Sequence, residues 1–188
     1  MSSQTFTLFP TALGHCGIAW GADARITGVQ LPDTTEITTR LCMQTRCPGG
    51  TEAGMGSTVP EPIAHAIAAI TALLAGRPTE PVDLTQLDLD MTGVPPFHQR
   101  VYALARQIQP GETLTYGELA RQLGEPGAAR AVGQALGANP FAPVVPCHRI
   151  LAAHSGGGGF SAPGGVATKL RMLQIEKARF GGPGLFDE

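Results

Sequence analysis

The 188-residue chain is poor in cysteine and has no long apolar run. The sequence has four cysteines, which form no Cys-x-x-Cys motif and are not regularly spaced. This pattern excludes a disulfide framework and predicts free thiols in a reducing compartment. No stretch has the length and apolar character of a membrane-spanning helix, and the first residues lack the basic region and apolar core of a secretory signal. We therefore expect a cytoplasmic protein.

Charge is also sparse, at 15% of residues, and the net charge of −2 does not by itself indicate a nucleic-acid partner. The two halves differ, however. Residues 1–90 carry 4 Lys and Arg against 9 Asp and Glu, whereas residues 91–188 carry 9 against 6. Such asymmetry predicts that the second half faces a polyanion and the first does not.

The first half predicts a small antiparallel sheet with one helix. Alternating or apolar runs at 5–9, 15–20 and 26–31 follow Gly-containing turns and indicate strands. Residues 39–58 show no clear period and are left unassigned. A helix is expected from Pro60 to Gly76, followed by a Pro-rich linker over 77–96 with at most one strand. We place a domain boundary near Thr92, which separates residues 1–91 from 92–188.

The second half predicts a mostly helical domain. Helices are expected from Pro96, from a capping box at Thr115 and Glu118, over 128–136, and over 166–179. The second and third are short and joined by a Gly-containing turn, a pattern typical of a helix-turn-helix. Arg130 lies among small residues in the third helix. These residues allow close approach either to a neighbouring helix or to a nucleic-acid groove.

The most distinctive stretch is residues 139–150, which places a thiol and an imidazole side by side after a proline. A cysteine in an apolar, Pro-bounded run is typical of a buried core. His148 and Arg149 favour the other interpretation, because positive charge beside Cys147 lowers a thiol pKa and raises the reactive thiolate fraction. The Gly-rich run at 156–159 that follows is consistent with close backbone approach to a ligand or with a plain surface loop.

Residues 97–177 resemble the O6-alkylguanine-DNA alkyltransferases, also called methylated-DNA–protein-cysteine methyltransferases. The resemblance is carried by Pro146-Cys147-His148-Arg149 following an Asn-Pro pair. It implies an α+β two-domain fold whose amino-terminal α/β domain is ribonuclease H-like. It also implies DNA repair without a cofactor, in which the alkyl group of O6-alkylguanine or O4-alkylthymine passes irreversibly, once per molecule, to Cys147.

The resemblance assigns four residues to catalysis. Cys147 is the alkyl acceptor, and His148 takes its proton through a water molecule. Glu176 orients that histidine in a Cys-His-Glu relay. Asn139 ties the recognition helix to a strand before the nucleophile.

The resemblance also assigns contacts to substrate and DNA. Tyr116 donates to the departing guanine, Phe160 forms a wall of the pocket, and the Ser161 amide contacts the alkylated oxygen. Val145 is a further substrate contact. Arg130 fills the gap left by the extruded nucleotide, in the minor groove of double-stranded DNA. The remaining DNA contacts are assigned to Ala129, Gly133 and Thr115.

Three features depart from the commoner family pattern. Phe160 keeps an aromatic ring but lacks the hydroxyl of the usual tyrosine, the 161–165 loop is longer, and Ala142 replaces a proline, which predicts a different preference for alkyl groups. The cysteines and histidines form no recognisable zinc ligand set, so no metal is expected. We expect a monomer. The tail at 185–187 faintly resembles a sliding-clamp peptide, against the alternative of a disordered terminus.

Two other functions fit parts of the sequence. Non-catalytic alkyltransferase-like proteins that flag DNA damage look similar, but they usually carry tryptophan in place of the nucleophile that Cys147 supplies. A Cys-His hydrolase would explain the thiol and the imidazole. It would not explain the helix pair or Arg130.

Overall fold

The computed structural model describes residues 4–54, 57–76, 83–153 and 159–178. The amino-terminal part forms a four-stranded sheet of order β3-β2-β1-β4. Its strands are β1 (Thr5–Thr11), β2 (Gly14–Trp20), β3 (Ile26–Gln30) and β4 (Thr51–Glu52). The three strands expected from the sequence are confirmed, and they pair antiparallel in chain order.

The prediction of a purely antiparallel sheet is wrong, because β4 pairs parallel to β1. Parallel neighbours need a crossover connection rather than a tight turn. A helix, α1 (Glu36–Arg46), supplies that crossover between β3 and β4. The sheet is therefore mixed.

Helix α1 occupies most of the stretch that the sequence left unassigned. The hydroxyl of Thr35 accepts from the amide of Thr38, and the Thr38 hydroxyl accepts from the amide of Thr35. This capping box uses threonine where glutamate or glutamine is usual, and the helix interior contains β-branched residues of low helix propensity. For these two reasons the sequence did not indicate clearly where helix α1 begins.

The two helices of this half cover opposite faces of the sheet. Met43 of α1 packs in a small cluster with Phe6, Ala19 and Cys47. Ile18 and Trp20, which flank Ala19 in β2, belong instead to the main core, as the period of two in a strand requires. Helix α2 (Glu61–Ala75) buries its apolar side in that main core and ends at Gly76, whose φ of 65° is left-handed.

The described part of the expected linker, residues 83–95, is packed rather than free. Leu84, Leu87 and Leu89 are buried, and Leu89 forms a parallel bridge to Ile26. The Nη2 atom of Arg106 lies 2.7–2.8 Å from three carbonyl oxygens of this segment. The linker prediction, which rested on the prolines around an acidic segment, is wrong for these residues because their leucines are buried in the core.

In the described part of the second half, four α-helices surround a small parallel sheet. The helices are α3 (Pro96–Ala105), α4 (Tyr116–Gln122), α5 (Ala129–Gly137) and α6 (Gly165–Ile175), and the strands are β5 (Leu114–Thr115) and β6 (Ile150–Leu151). The capping box at Thr115 and Glu118 is confirmed. The Tyr102 hydroxyl of α3 donates to the carbonyl of Ala135 in α5 at 2.8 Å. Helix α6 ends four residues before the expected 179.

The pairing of β5 with β6 positions the candidate site. Leu114 lies beside Ile150, and Thr115 lies beside Leu151. Tyr116 follows β5 directly, and Cys147–Arg149 precede β6. Two distant parts of the sequence therefore meet at one edge. None of the helices in the described ranges combines the length and the apolar character that crossing a lipid bilayer would need.

Candidate active site

The segment before Cys147 is a series of turns, not the strand that the family resemblance implies. It contains Pro140, Pro143 and Pro146, which have no N–H to donate to a sheet ladder. Asn139 organises it instead. Its Nδ2 donates to the carbonyl of Val145 at 2.8 Å, and its Oδ1 accepts from the amide of Phe141 at 2.9 Å. Asn139 thus joins the end of α5 to the residues just before the thiol.

Residues Cys147–Arg149 form a single 3-10 turn, and all three are buried. The exposed fractions of these residues are 7% for Cys147, 0% for His148 and 4% for Arg149. Burial of an imidazole and a guanidinium is costly unless each has a partner. The partner of both is one carboxylate.

Glu176, just beyond the end of α6, supplies that carboxylate. Its Oε1 lies 2.9 Å from Nε2 of His148. Arg149 donates to both carboxylate oxygens, from Nε at 2.9 Å and from Nη2 at 2.8 Å, and its Nη1 donates to the carbonyl of Ile108. Burial alone would raise the pKa of Glu176. The hydrogen bonds and charges of His148 and Arg149 outweigh it and hold that pKa at about 2.

The imidazole of His148 is neutral and keeps one ring nitrogen available to accept a proton. Burial lowers its pKa below the ordinary value, against the opposing effect of Glu176. Because an ionised carboxylate only accepts hydrogen bonds, we assign the proton to Nε2. Nδ1 is then the free basic atom. It is buried and has no hydrogen-bond partner among the described residues.

The expectation that its neighbours lower the pKa of Cys147 is wrong in direction. Burial raises the pKa of the thiol, and this effect is the largest. A hydrogen bond with Asn139, the charge of Lys169, and the amides of Cys147 and His148 oppose it. The guanidinium of Arg149 is paired instead with the carboxylate of Glu176.

Lys169 of α6 is the cation near the thiol, although its side chain is fully buried. Its Nζ donates to the carbonyl of Ile150 at 2.6 Å and lies 5.9 Å from the centre of the Tyr116 ring. Burial lowers the pKa of Lys169 to about 8, and the nearby Cys147 opposes that shift. Both ionisable groups are therefore displaced towards their neutral forms.

A cavity of about 340 Å³ opens onto the thiol. Tyr116, Phe160 and Ser161 line it together with Cys147, so the structure brings together three of the four expected substrate contacts. Gly133 lines it as well, and a Cβ built there would lie 3.9 Å from the Tyr116 ring. We call this space the base cavity. Burial raises the pKa of the Tyr116 hydroxyl, and the nearby Cys147 adds to that shift.

A second and larger cavity, of about 730 Å³, touches the same thiol from the side of the amino-terminal half. It lies between α1 and β3 on one side and the residues around Asn139 and Ala162 on the other. We call it the α1 groove. Asn139, Gly137 and Ala142 form part of its wall.

The remaining expected contacts lie as follows. Val145 is fully buried and lines neither cavity among the described residues. Thr115 uses its hydroxyl in the cap of α4. Arg130 is the second residue of α5 and is exposed, with Ala129 half-buried beside it. Their expected roles remain predictions.

Metal binding finds no support in the described ranges. No group of three or more His, Cys, Asp or Glu side chains there is placed to hold an ion. The four cysteines are free thiols.

A family model described as the DNA-binding domain of 6-O-methylguanine DNA methyltransferase matches residues 96–178. The methylated-DNA–protein-cysteine methyltransferase of Mycobacterium bovis is 42% identical over 120 residues, which are 64% of this chain and 68% of that protein. The chain belongs to the methylated-DNA–protein-cysteine methyltransferases. The relative from Mycobacterium leprae is 44% identical over 114 residues, with 61% of this chain and 65% of that protein covered.

Solved structures extend the similarity to both halves of this methyltransferase. The Mycobacterium tuberculosis OGT in complex with DNA is 33% identical and covers 92% of both chains with a TM-score of 0.69. The O6-methylguanine-DNA methyltransferase of Pyrococcus kodakaraensis is 25% identical and covers 92% of this chain and 98% of its own, with a TM-score of 0.63. The mixed α/β architecture with a small sheet is thus confirmed.

Sequence reasoning missed two residues of this methyltransferase site. The sequence interpretation treated Arg149 only as a neighbour of the thiol and assigned no role to Lys169. A signal for Lys169 existed, because it precedes Leu170, Met172 and Leu173 in an apolar stretch. The expected clamp peptide at 185–187 and the glycines at 156–158 lie outside the described residues.

We predict that a Glu176→Gln variant of the methyltransferase is destabilised by about 3–5 kcal/mol at pH 7, because Arg149 loses its buried counter-charge. The depressed pKa of Glu176 contributes stability above its unfolded value of 4.5, and this is lost as pH falls towards about 2. Acidification through that window should therefore cost the wild type more than E176Q. Urea unfolding at pH 7, 5 and 3 measures both effects.

The matched control is Glu125→Gln, whose carboxylate pairs with Arg100 at 2.7 Å on the surface. We expect a loss below about 1 kcal/mol there. Equal losses in the two variants would show that the buried network around Glu176 contributes no special stability.

Proposed function

We propose that this methyltransferase repairs DNA by moving the alkyl group from O6 of guanine, or O4 of thymine, to Sγ of Cys147. The carbon–sulfur bond forms as the carbon–oxygen bond breaks, and the product is a thioether on the protein. No step regenerates the thiol, so each molecule reacts once. The observation that carries the proposal is a buried thiol at the wall of the base cavity, beside a histidine held by Glu176 and Arg149.

The thiol must lose its proton before it attacks, because the thiolate is the nucleophile. Nδ1 of His148 is the acceptor, and a water molecule carries the proton. His148 is neutral at pH 7 because burial keeps its pKa low. The thiolate that results is stabilised by the charge of Lys169 and by the hydrogen bond with Asn139.

The departing guanine carries negative charge unless it is protonated as it leaves. The Tyr116 hydroxyl, in the wall of the base cavity, donates to the ring and favours departure. The Ser161 amide contacts the alkylated oxygen, and Phe160 stacks as an apolar wall. Val145 contributes indirectly, because its carbonyl accepts a hydrogen bond from the side chain of Asn139 and so holds Asn139 in place.

Helix α5 is proposed to enter the minor groove of double-stranded DNA as the second helix of a helix-turn-helix with α4. Arg130 is exposed near its first turn, and Ala129 and Gly133 allow close approach. Because Cys147 is only 7% exposed, a target base must leave the duplex to reach it. Arg130 then fills the space in the stack, and Thr115, at the start of α4, lies near the backbone.

Several broader features remain proposals beside this mechanism. They are a ribonuclease H-like amino-terminal domain over 1–91, a separate domain over 92–188, a monomeric state and a cytoplasmic location. Contact of the tail with a sliding clamp belongs with them. The damage-flagging alternative is not favoured, because the chain keeps its nucleophile at Cys147.

The central test is mass spectrometry after incubation with duplex DNA that contains O6-methylguanine. We expect a gain of one methyl group per protein, on the peptide that contains Cys147, and no further turnover. A Cys147→Ala variant should gain nothing. The control Cys42→Ala should react like the wild type, since Cys42 is outside the base cavity. Methylation of another cysteine would overturn the assignment.

Replacement of Arg130 should distinguish extrusion of the base from the duplex from the alkyl transfer to Cys147. We expect Arg130→Ala to slow repair of duplex DNA at least tenfold while its reaction with free O6-benzylguanine stays within threefold, because only the duplex requires base flipping. Arg171→Ala removes an exposed charge of the same sign from α6 and should spare both reactions. A similar loss on both substrates in Arg130→Ala would contradict the role.

Lys169→Met tests the electrostatic support of the thiolate. Loss of this charge should raise the pKa of Cys147 and lower the thiolate fraction about tenfold for each unit of pKa. Single-turnover rates from pH 6 to 9 should show a slower reaction at pH 7 that recovers partly at higher pH. The exposed Lys177→Met serves as the control. An unchanged pH profile in Lys169→Met would exclude this role.

A further inference from the structure

The end of α6 lies against glycine backbone from two directions. One glycine is Gly76, at which α2 ends, and the other is Gly111, in the turn that follows α3. The residues that they face are Ile175, the last residue of α6, and Glu176, whose carboxylate holds His148. Two turns from different halves of the chain therefore flank the residue on which the proposed proton relay depends.

Gly76 packs so closely on α6 that a side chain there has no room. A Cβ built at Gly76 would lie 3.1 Å from Cγ2 of Ile175 and 3.1 Å from its carbonyl oxygen. Carbon atoms pack at about 3.5–4.0 Å, so a side chain at this position would have to push Ile175 away. The carbonyl of Ile175 belongs to the rigid peptide that leads to Glu176, and a shift of one moves the other.

Gly111 approaches the same place from the carboxy-terminal half. A Cβ built there would lie 3.3 Å from the carbonyl oxygen of Glu176, and the φ of 90° at Gly111 is one that favours glycine. The carbonyl of Ile108, three residues earlier, accepts from Arg149. This segment therefore contacts the buried network at both Glu176 and Arg149.

The chain directly after Glu176 is held in a conformation that lysine rarely adopts. Lys177 has a φ of 54°, and the amide of Ala178 donates to the carbonyl of Leu173 at 2.9 Å, as in a Schellman motif, where glycine is usual at the left-handed position. A residue with a side chain keeps such a conformation only when its surroundings fix it. The contacts around α6 therefore determine where its last turn, and with it Glu176, is placed.

We propose that Gly76 is a positioning residue for alkyl transfer: by letting α2 pack directly on Ile175, it sets the place of the Glu176 carboxylate against Nε2 of His148. This inference rests on the proposed function. It gives the amino-terminal half a part in the reaction that needs no contact with DNA. Displacement of Glu176 weakens its hydrogen bond to His148 and allows the ring proton to move from Nε2 to Nδ1. Nδ1 can then no longer accept the proton of Cys147.

Asparagine substitutions test the contact with little backbone strain, because asparagine tolerates the left-handed conformation. Gly76→Asn places a Cβ against Ile175. The control Gly93→Asn adds the same side chain at a φ of 77°, where a Cβ would meet nothing within 4 Å beyond its chain neighbours. We measure single-turnover transfer from duplex DNA with O6-methylguanine and from free O6-benzylguanine, per folded molecule as determined by urea unfolding. Nitrogen-15 NMR of the His148 ring reports which nitrogen carries the proton.

We expect Gly76→Asn to slow both reactions by about fivefold or more, because a small misplacement of a supporting group lowers the rate steeply. Its His148 resonances should shift towards a mixture of the two tautomers. Gly93→Asn should stay within about twofold in both reactions, with the proton on Nε2. Gly111→Asn pushes on Glu176 from the other side and should act like Gly76→Asn. Addition of Ile175→Ala to Gly76→Asn removes Cγ2 and should recover part of the rate.

Two results would overturn the inference. The first is a rate for Gly76→Asn that stays within about twofold of the wild type on both substrates. The second is a slower reaction with an unchanged His148 signal, which would assign Gly76 a purely structural role. Absence of methyl transfer to Cys147 in the wild type would instead refute the proposed function itself.

Discussion

The site depends on one buried carboxylate with two partners. Glu176 accepts from His148 and from Nε and Nη2 of Arg149, in a region that almost no solvent reaches. A buried charge of either sign is unstable alone, so the three side chains fix one another. Because Arg149 also donates to Ile108, the same network joins the end of α6, the turn at Cys147 and the chain after α3. The geometry of the proposed site and the packing of the second half therefore depend on the same contacts.

Burial of Cys147 has two opposite effects on its reactivity, and neighbouring groups offset the unfavourable one. A thiol hidden from water is selective for substrates that are brought to it, but burial raises its pKa and reduces the thiolate. Lys169 opposes this effect from α6, and Asn139 does so from the end of α5. Lys169 is itself displaced towards neutrality, to a pKa of about 8. Because each group shifts the pKa of the other, we expect the pH dependence of alkyl transfer to reflect both.

The amino-terminal half contributes to the site through the wall of the α1 groove. The amide of Val29 in β3 donates to the carbonyl of Pro140 at 2.8 Å, directly beside the segment that Asn139 organises. This contact holds the sheet against the turns that lead to Cys147. Residues of β3 and α1 thereby form part of the wall of the cavity that reaches Cys147.

Local patterns predicted many elements correctly. Strand alternation gave β1 to β3, the Thr115–Glu118 box gave the start of α4, and Gly76 gave the end of α2. Elements with unusual signals were missed. Helix α1 is capped by threonine pairs, and the leucines of 83–95 become core only because Arg106 and Ile26 bind that segment from a distance. A short sequence window contains neither partner.

The sequence by itself determined the chemistry available: a thiol beside an imidazole after a proline, small residues around an arginine, and a carboxylate near the last apolar helix segment. Only the tertiary structure decided how these groups behave. It buried Cys147 and so reversed the expected direction of its pKa, committed Arg149 to Glu176, and brought Lys169 to the thiol. The reason is that desolvation and charge pairing depend on which residues surround a group in space, and chain neighbours are a small part of that set.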